Sequence, residues 1–179
     1  MRLLDKLLSE GGDAGQHRLA FLALLVALGT VLYLMESFFV AVIPLPGAKL
    51  GLANIVTVLA LLTFGVRDGL IVAFLRVLIG SFFSGLFLSP GFFLGLAGAL
   101  VSTITMALLL RCKGVFSMTG VSVGGAVGHN IGQLLMASLL LQSSAVIYYV
   151  PVLLLLAIPT GMLTGYILNG ILSTREVPP

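Results

Sequence analysis

Charge is almost absent from the middle of this chain, and the few charges that remain are unevenly placed. Between Leu19 and Leu110, 92 positions hold five charged residues: Glu36, Lys49, Arg67, Asp68 and Arg76. Lys49, Arg67 and Asp68 fall in short breaks between apolar runs, whereas Glu36 and Arg76 lie inside such runs. A charge at bilayer depth costs from about 2.5 kcal/mol upward, and such residues face a bundle interior or a cavity. Only 8% of the chain is charged and 59% is hydrophobic, against about 25% charged in a soluble domain. With a mean hydropathy of +1.22, the sequence reads as an all-α, multi-pass protein of the cell membrane.

Residues 1–18 form a cytoplasmic segment. Asp5 and Glu10 interrupt any apolar core that a cleaved signal peptide would need. Leu3, Leu4, Leu7 and Leu8 share one helical face, as in a short interfacial helix, and Gly11-Gly-Asp-Ala-Gly15 then breaks it. A spanning helix needs about 20 apolar residues. Residues 19–171 accommodate six spans, near 19–42, 51–65, 69–88, 92–110, 120–141 and 147–171, and residues 172–179 form a tail. The second span is about 22 Å long at 1.5 Å per residue, so irregular backbone before it would line a cavity. Arg67-Asp68 is read as the break between spans two and three.

Basic residues orient the bundle. Arg2, Lys6, Arg18, Arg67, Arg111, Lys113 and Arg175 fall on one side, and Lys49 alone on the other. The positive-inside rule then puts both termini in the cytoplasm. The net charge of +3 is therefore a record of topology, with no nucleic-acid partner implied. Trp is absent, which leaves Tyr33, Tyr148, Tyr149 and Tyr166 for an interfacial belt; the single cysteine, Cys112, excludes an internal disulfide.

Small residues recur at spacing four: Gly120, Gly124, Gly128 and Gly132 in span five, Gly161 and Gly165 in span six, Gly91 and Gly95 in span four. Such stripes let helix backbones approach closely. Span one carries a weaker one, Ala23 and Ala27. With the orientation fixed, Arg76, His129, Asn130 and Gln133 fall near the midplane, and Glu36, Lys49 and Asn54 toward the outer side. This describes a pocket opening outward. The plainer reading is a set of interhelical hydrogen bonds and an ion pair between Glu36 and Arg76.

No P-loop is present, so any nucleotide hydrolysis belongs to another chain. Cys112, His17 and His129 make no zinc site, and Asp5, Asp13 and Asp68 are too scattered for an Asp-rich magnesium-diphosphate motif. A non-enzyme without cofactor or metal is expected.

The stretch from Met35-Glu36-Ser37 through Pro44-Leu-Pro-Gly-Ala-Lys-Leu-Gly-Leu-Ala-Asn54 to Phe64-Gly65 resembles the Gx transporter family, also known as heptaprenyl diphosphate synthase component I. It is similar to the substrate-binding S components of energy-coupling factor (ECF) vitamin transporters. The resemblance implies a six-helix bundle with an outward pocket, lidded by the loop Pro44 to Leu50. It also implies docking of a transmembrane coupling subunit, joined to ATPase subunits, on the face of Ala23 and Ala27. The leading expectation is a binding subunit for uptake of a small molecule, anionic or strongly polar because Lys49, Arg76 and His129 outweigh Glu36. The alternative is a membrane partner subunit of a prenyl diphosphate synthase. A self-sufficient secondary transporter would want inverted repeats, and none is evident. The topology predicts that a cysteine introduced within residues 89–91 is labelled by an impermeant maleimide in intact cells while Cys112 is protected; labelling of Cys112 from outside would reverse it.

Overall fold

The computed structural model describes residues 14–42, 51–112 and 114–173. These form six α-helices: α1 (Ala14–Val42), α2 (Leu52–Phe64), α3 (Val66–Phe83), α4 (Pro90–Arg111), α5 (Met118–Leu141) and α6 (Val150–Ser173), with a 3-10 turn over Ser144–Tyr149. Gly15–Phe38, Pro90–Arg111 and Val150–Ser173 are long and apolar enough to cross a membrane. The other three differ for physical reasons. The 13 residues of α2 are too few; α3 carries Arg67, Asp68 and Arg76; α5 carries His129, Asn130 and Gln133. The polar groups thus sit mainly on the helices that least resemble ordinary spans.

Several boundaries are corrected. α1 begins at Ala14 rather than Leu19, so Ala14 to Arg18 belong to the helix and not to a separate segment. The break between α2 and α3 is Gly65, at φ 88°, a conformation open to glycine at no steric cost. Arg67 and Asp68 lie in the first turn of α3 instead. α3 stops at Phe83, well before residue 88, and residues 144–149 wind as a 3-10 turn ahead of α6. The Leu3, Leu4, Leu7 and Leu8 face, Lys49 with the lid, and the tail beyond Ser173 lie outside the described residues. Local signals explain the other helix starts. Ser89 caps α4, its Oγ accepting from the Phe92 N–H with Pro90 in the first turn. Ser117 caps α5, its Oγ accepting from the Gly120 N–H at 3.1 Å.

α2 is the centre of the bundle. None of its residues is exposed, and it packs against α1, α3, α4, α5 and α6. The most extensive interfaces are α4 with α5 and α5 with α6, and glycines make them close. A Cβ at Gly132 would fall 2.6 Å from the Ala97 carbonyl oxygen of α4, and one at Gly161 would fall 2.4 Å from Val123 Cα of α5. The stripe on α5 is therefore a packing seam inside the protein. α1 packs on α2 and α3 alone among the described elements. At one end the Arg18 guanidinium binds the buried Asp68 carboxylate at 2.6 Å, where the positive end of α3 also favours an anion. Tyr33 is no interfacial residue: it is buried, its ring lying against Gly80, where a Cβ would come within 2.4 Å of Cδ1. Tyr148, Tyr149 and Tyr166 are exposed.

These contacts separate the glycines by consequence. Gly161→Ala drives a methyl into backbone and is expected to lose about 1–3 kcal/mol, as overpacked cores do. Gly120→Ala meets no atom closer than 3.5 Å and should stay within about 0.5 kcal/mol of the parent. Thermal unfolding of both variants in the same detergent checks the order; equal losses would refute it.

Candidate ligand-binding site

All six helices reach one internal cavity. Tyr33 and Glu36 come from α1, Asn54 from α2 with Gly51 before it, Arg76 and Val77 from α3, and Gly95 and Ala99 from α4; Ala126, His129 and Asn130 come from α5, and Thr160 from α6. The free volume is about 20 Å³. One water needs about 10–15 Å³ on this measure, so this conformation has room for little more than one.

The polar groups are held by specific contacts. The backbone N–H of Leu52 donates to Oε1 of Glu36. That bond caps a helix that has no side-chain cap of its own, since the N-cap position is Gly51 in the left-handed region at φ 75°. Arg76 Nη2 donates to Asn54 Oδ1 at 2.9 Å. Asn130 Nδ2 donates to the Leu153 carbonyl at 2.6 Å, joining α5 to α6. The Arg76 stem crosses α1 at Gly29, where a Cβ would lie 3.2 Å from Arg76 Cδ. Arg76 is 3% exposed, and its Nε has no hydrogen-bond partner among the described residues; the same is true of Gln133 Oε1 and Ser102 Oγ. A buried donor left unmade costs about 1–3 kcal/mol, so Arg76 retains bonding capacity toward whatever shares its surroundings.

Of the residues singled out by sequence, Glu36, Asn54, Arg76, His129 and Asn130 come together at the cavity. Gln133 does not line it. It is buried one turn along α5, its Cγ facing Gly98 of α4. Lys49 lies outside the described residues. Ala23 and Ala27 are exposed on α1 and line a separate apolar groove of about 750 Å³ between α1 and α3, with Leu22, Val26, Val31, Ile71, Leu75 and Ile79 among its walls. Sequence reasoning missed Gly29, Tyr33 and Thr160. Gly29, Tyr33 and Glu36 follow at spacings of four and three, with Arg76 and Gly80 at a spacing of four across from them, and that helical row is the available signal.

The lining offers one carboxylate, one guanidinium, an imidazole, a phenol, two amides and a hydroxyl inside apolar walls. This inventory suits recognition of a small polar molecule. Among the described residues no group of three or more His, Cys, Asp and Glu is placed to hold a metal ion.

Removing Arg76 would leave the Glu36 carboxylate and the Asn54 amide buried together without their cation. Arg76→Ala is expected to lower stability by about 1–3 kcal/mol, the loss on leaving a buried acceptor such as Asn54 Oδ1 without its donor, with a further loss if Glu36 depends on the guanidinium that shares its cavity. Glu36→Gln added to it should restore part of that loss, because no bare charge then remains. Chemical or thermal unfolding of both variants decides; a double variant no more stable than the single one would mean that the two charges are not coupled.

The family model described as heptaprenyl diphosphate synthase component I matches residues 25–171. That span holds every residue of the cavity lining. No curated protein and no solved structure matches the chain. The match covers most of the sequence, and the chain belongs to the heptaprenyl diphosphate synthase component I family.

Proposed function

We propose that this protein is a membrane-embedded substrate-binding subunit, S-component-like, that serves uptake of a small polar molecule and is driven by a separate ATPase module. The observation that carries this reading is the convergence of six helices on one buried polar cavity. A purely structural bundle has no need to bring a carboxylate, a guanidinium and an imidazole to one point at membrane depth, where each is expensive. The bundle then spans the bilayer, its short α2 enclosed by the other helices, with Arg18, Arg67 and Arg111 on the cytoplasmic side together with both termini. The motor belongs elsewhere because the chain has no P-loop. The groove holding Ala23 and Ala27 is where a coupling subunit would lay a helix, since small side chains leave room for close approach.

A second reading is favoured by the family's name: a membrane partner subunit of a prenyl diphosphate synthase. Asp5, Asp13 and Asp68 form no Asp-rich motif, so the synthase chemistry would reside in the partner. In that reading an isoprenoid chain belongs in the apolar groove between α1 and α3, not in the polar cavity.

One paired experiment separates the readings. Native mass spectrometry of the gently purified protein should find a retained polar small molecule, and affinity capture should bring ATPase subunits. Ala23→Trp with Ala27→Trp should keep the small molecule and lose the ATPase subunits and uptake. Capture of a soluble Asp-rich synthase without ATPases would favour the second reading. Loss of folding in the double variant would place these alanines inside the bundle and end the docking idea.

A further inference from the structure

The cavity is built around a helix that begins inside the protein. α2 has 13 residues, about 20 Å at 1.5 Å per residue, against a hydrocarbon core of about 30 Å. Its last residue, Phe64, packs near Arg18 at one end of α1, the guanidinium lying 6.0 Å from the ring centroid. Its first turn ends at the cavity, which Gly51 and Asn54 both line. A helix that starts at membrane depth presents unpaired N–H groups and the positive end of its dipole, and interrupted helices in transporters aim that end at anionic ligand groups. Here the position is taken by a side chain of the protein itself, the Glu36 carboxylate, through the Leu52 N–H.

A second, independent feature points the same way. Arg76 is almost wholly buried, lines the same cavity, and keeps its Nε without a partner among the described residues while one Nη is engaged by Asn54. A guanidinium offers five donors in a fork suited to carboxylates. The free volume admits little more than a water, so a ligand can bind only if something leaves. Glu36 is the group whose departure would release an anion site.

We propose that Glu36 is an internal stand-in for the ligand. A carboxylate of the incoming molecule takes its place between the N-terminus of α2 and Arg76, and Glu36 is displaced together with the outer part of α1. The ligand class is therefore a small carboxylate, and Glu36 sets the threshold for admission. This rests on the binding-subunit reading for its biological meaning, although the anion site itself can be tested apart from it.

The experiment is chemical rescue with acetate as the probe. Purified wild type, Glu36→Ala and Glu36→Ala with Arg76→Gln are melted in sodium acetate or sodium chloride at matched ionic strength. Glu36→Ala should show a saturable, acetate-specific rise in Tm, roughly 5 °C at about 100 times Kd for a protein of this size. Wild type should need at least about tenfold more acetate, because Glu36 competes, and the double variant should lose the response. No acetate-specific rise in Glu36→Ala, or an equal rise in the double variant, overturns the proposal. Should Glu36→Ala fail to fold, Glu36→Gln replaces it and must respond at lower acetate than wild type; an equal or weaker response overturns the proposal. Native mass spectrometry of wild type keeps the two levels apart. A retained neutral or cationic molecule would sink this inference and leave the binding-subunit reading standing, whereas acetate rescue in a protein that retains nothing would establish the anion site and remove support for uptake.

Discussion

A helix too short to cross the bilayer, with no residue exposed, sets the problem that the rest of this structure solves. No residue of α2 is exposed; the Asn54 N–H bonds the Gly51 carbonyl, and the starting N–H of Leu52 lies ahead of any helical partner. In a low-dielectric interior such groups must find acceptors within the protein. The Glu36 carboxylate supplies one. A buried carboxylate needs a cation in its turn, and Arg76 shares the cavity with it. Arg76 needs an acceptor, which Asn54 on the same first turn of α2 provides, and it needs a path past α1, which Gly29 leaves open. Glu36, Arg76 and Asn54 thus each answer a need of another, and the loop of requirements closes on α2.

The surrounding helices divide the work. α4, α5 and α6 are joined through glycine contacts with backbone and short side chains, at Gly128, Gly132, Gly161 and Gly165. Packing of that kind has little room to change by degrees, because a shift of one ångström closes or opens whole contacts. α1 is attached differently. It rests on α2 and α3 and is held by the Arg18–Asp68 pair near one end and by Glu36 on α2 toward the other. At the Arg18 end the guanidinium is half exposed while the Asp68 carboxylate is buried. The Glu36 end is buried and depends on what else can occupy the cavity. Rearrangement of the site therefore has a natural route through α1, with the glycine-seamed helices as the fixed frame.

The sequence carried the general architecture and five of the cavity-lining residues, because lipid makes charge so costly that Glu36 and Arg76 had to turn inward together. Depth along each span then placed His129 and Asn130 near the midplane and Asn54 toward the outer side, within reach of one cavity. Gln133 falls outside the cavity lining because depth alone does not choose a face. It shares a helical row with His129, yet one further turn carries it past the cavity edge and against Gly98. Tyr33 was assigned to the interface on residue type, although its place one turn from Glu36 argued for the interior. The break at Arg67-Asp68 was misplaced for a related reason. Charge by itself does not end a helix: Gly65 supplies the turn, and Asp68 lies buried at the helix start against Arg18.

Two sites of opposite character lie on either side of α1. One face meets the polar cavity through Tyr33 and Glu36; another meets the apolar groove through Leu22, Ala23, Val26, Ala27 and Thr30. Gly29 sits between them, against Arg76 and the Val56 side chain. A helix that forms a wall of both spaces cannot be displaced toward one without altering the other. Whatever fills the groove, a partner helix or a long apolar chain, gains or loses contact area as α1 moves. By reciprocity of binding free energies it then biases the state of the cavity to the same degree that a cavity ligand biases the groove. The two readings of function thus share one mechanical element, and α1 is where coupling between the sites would be measured.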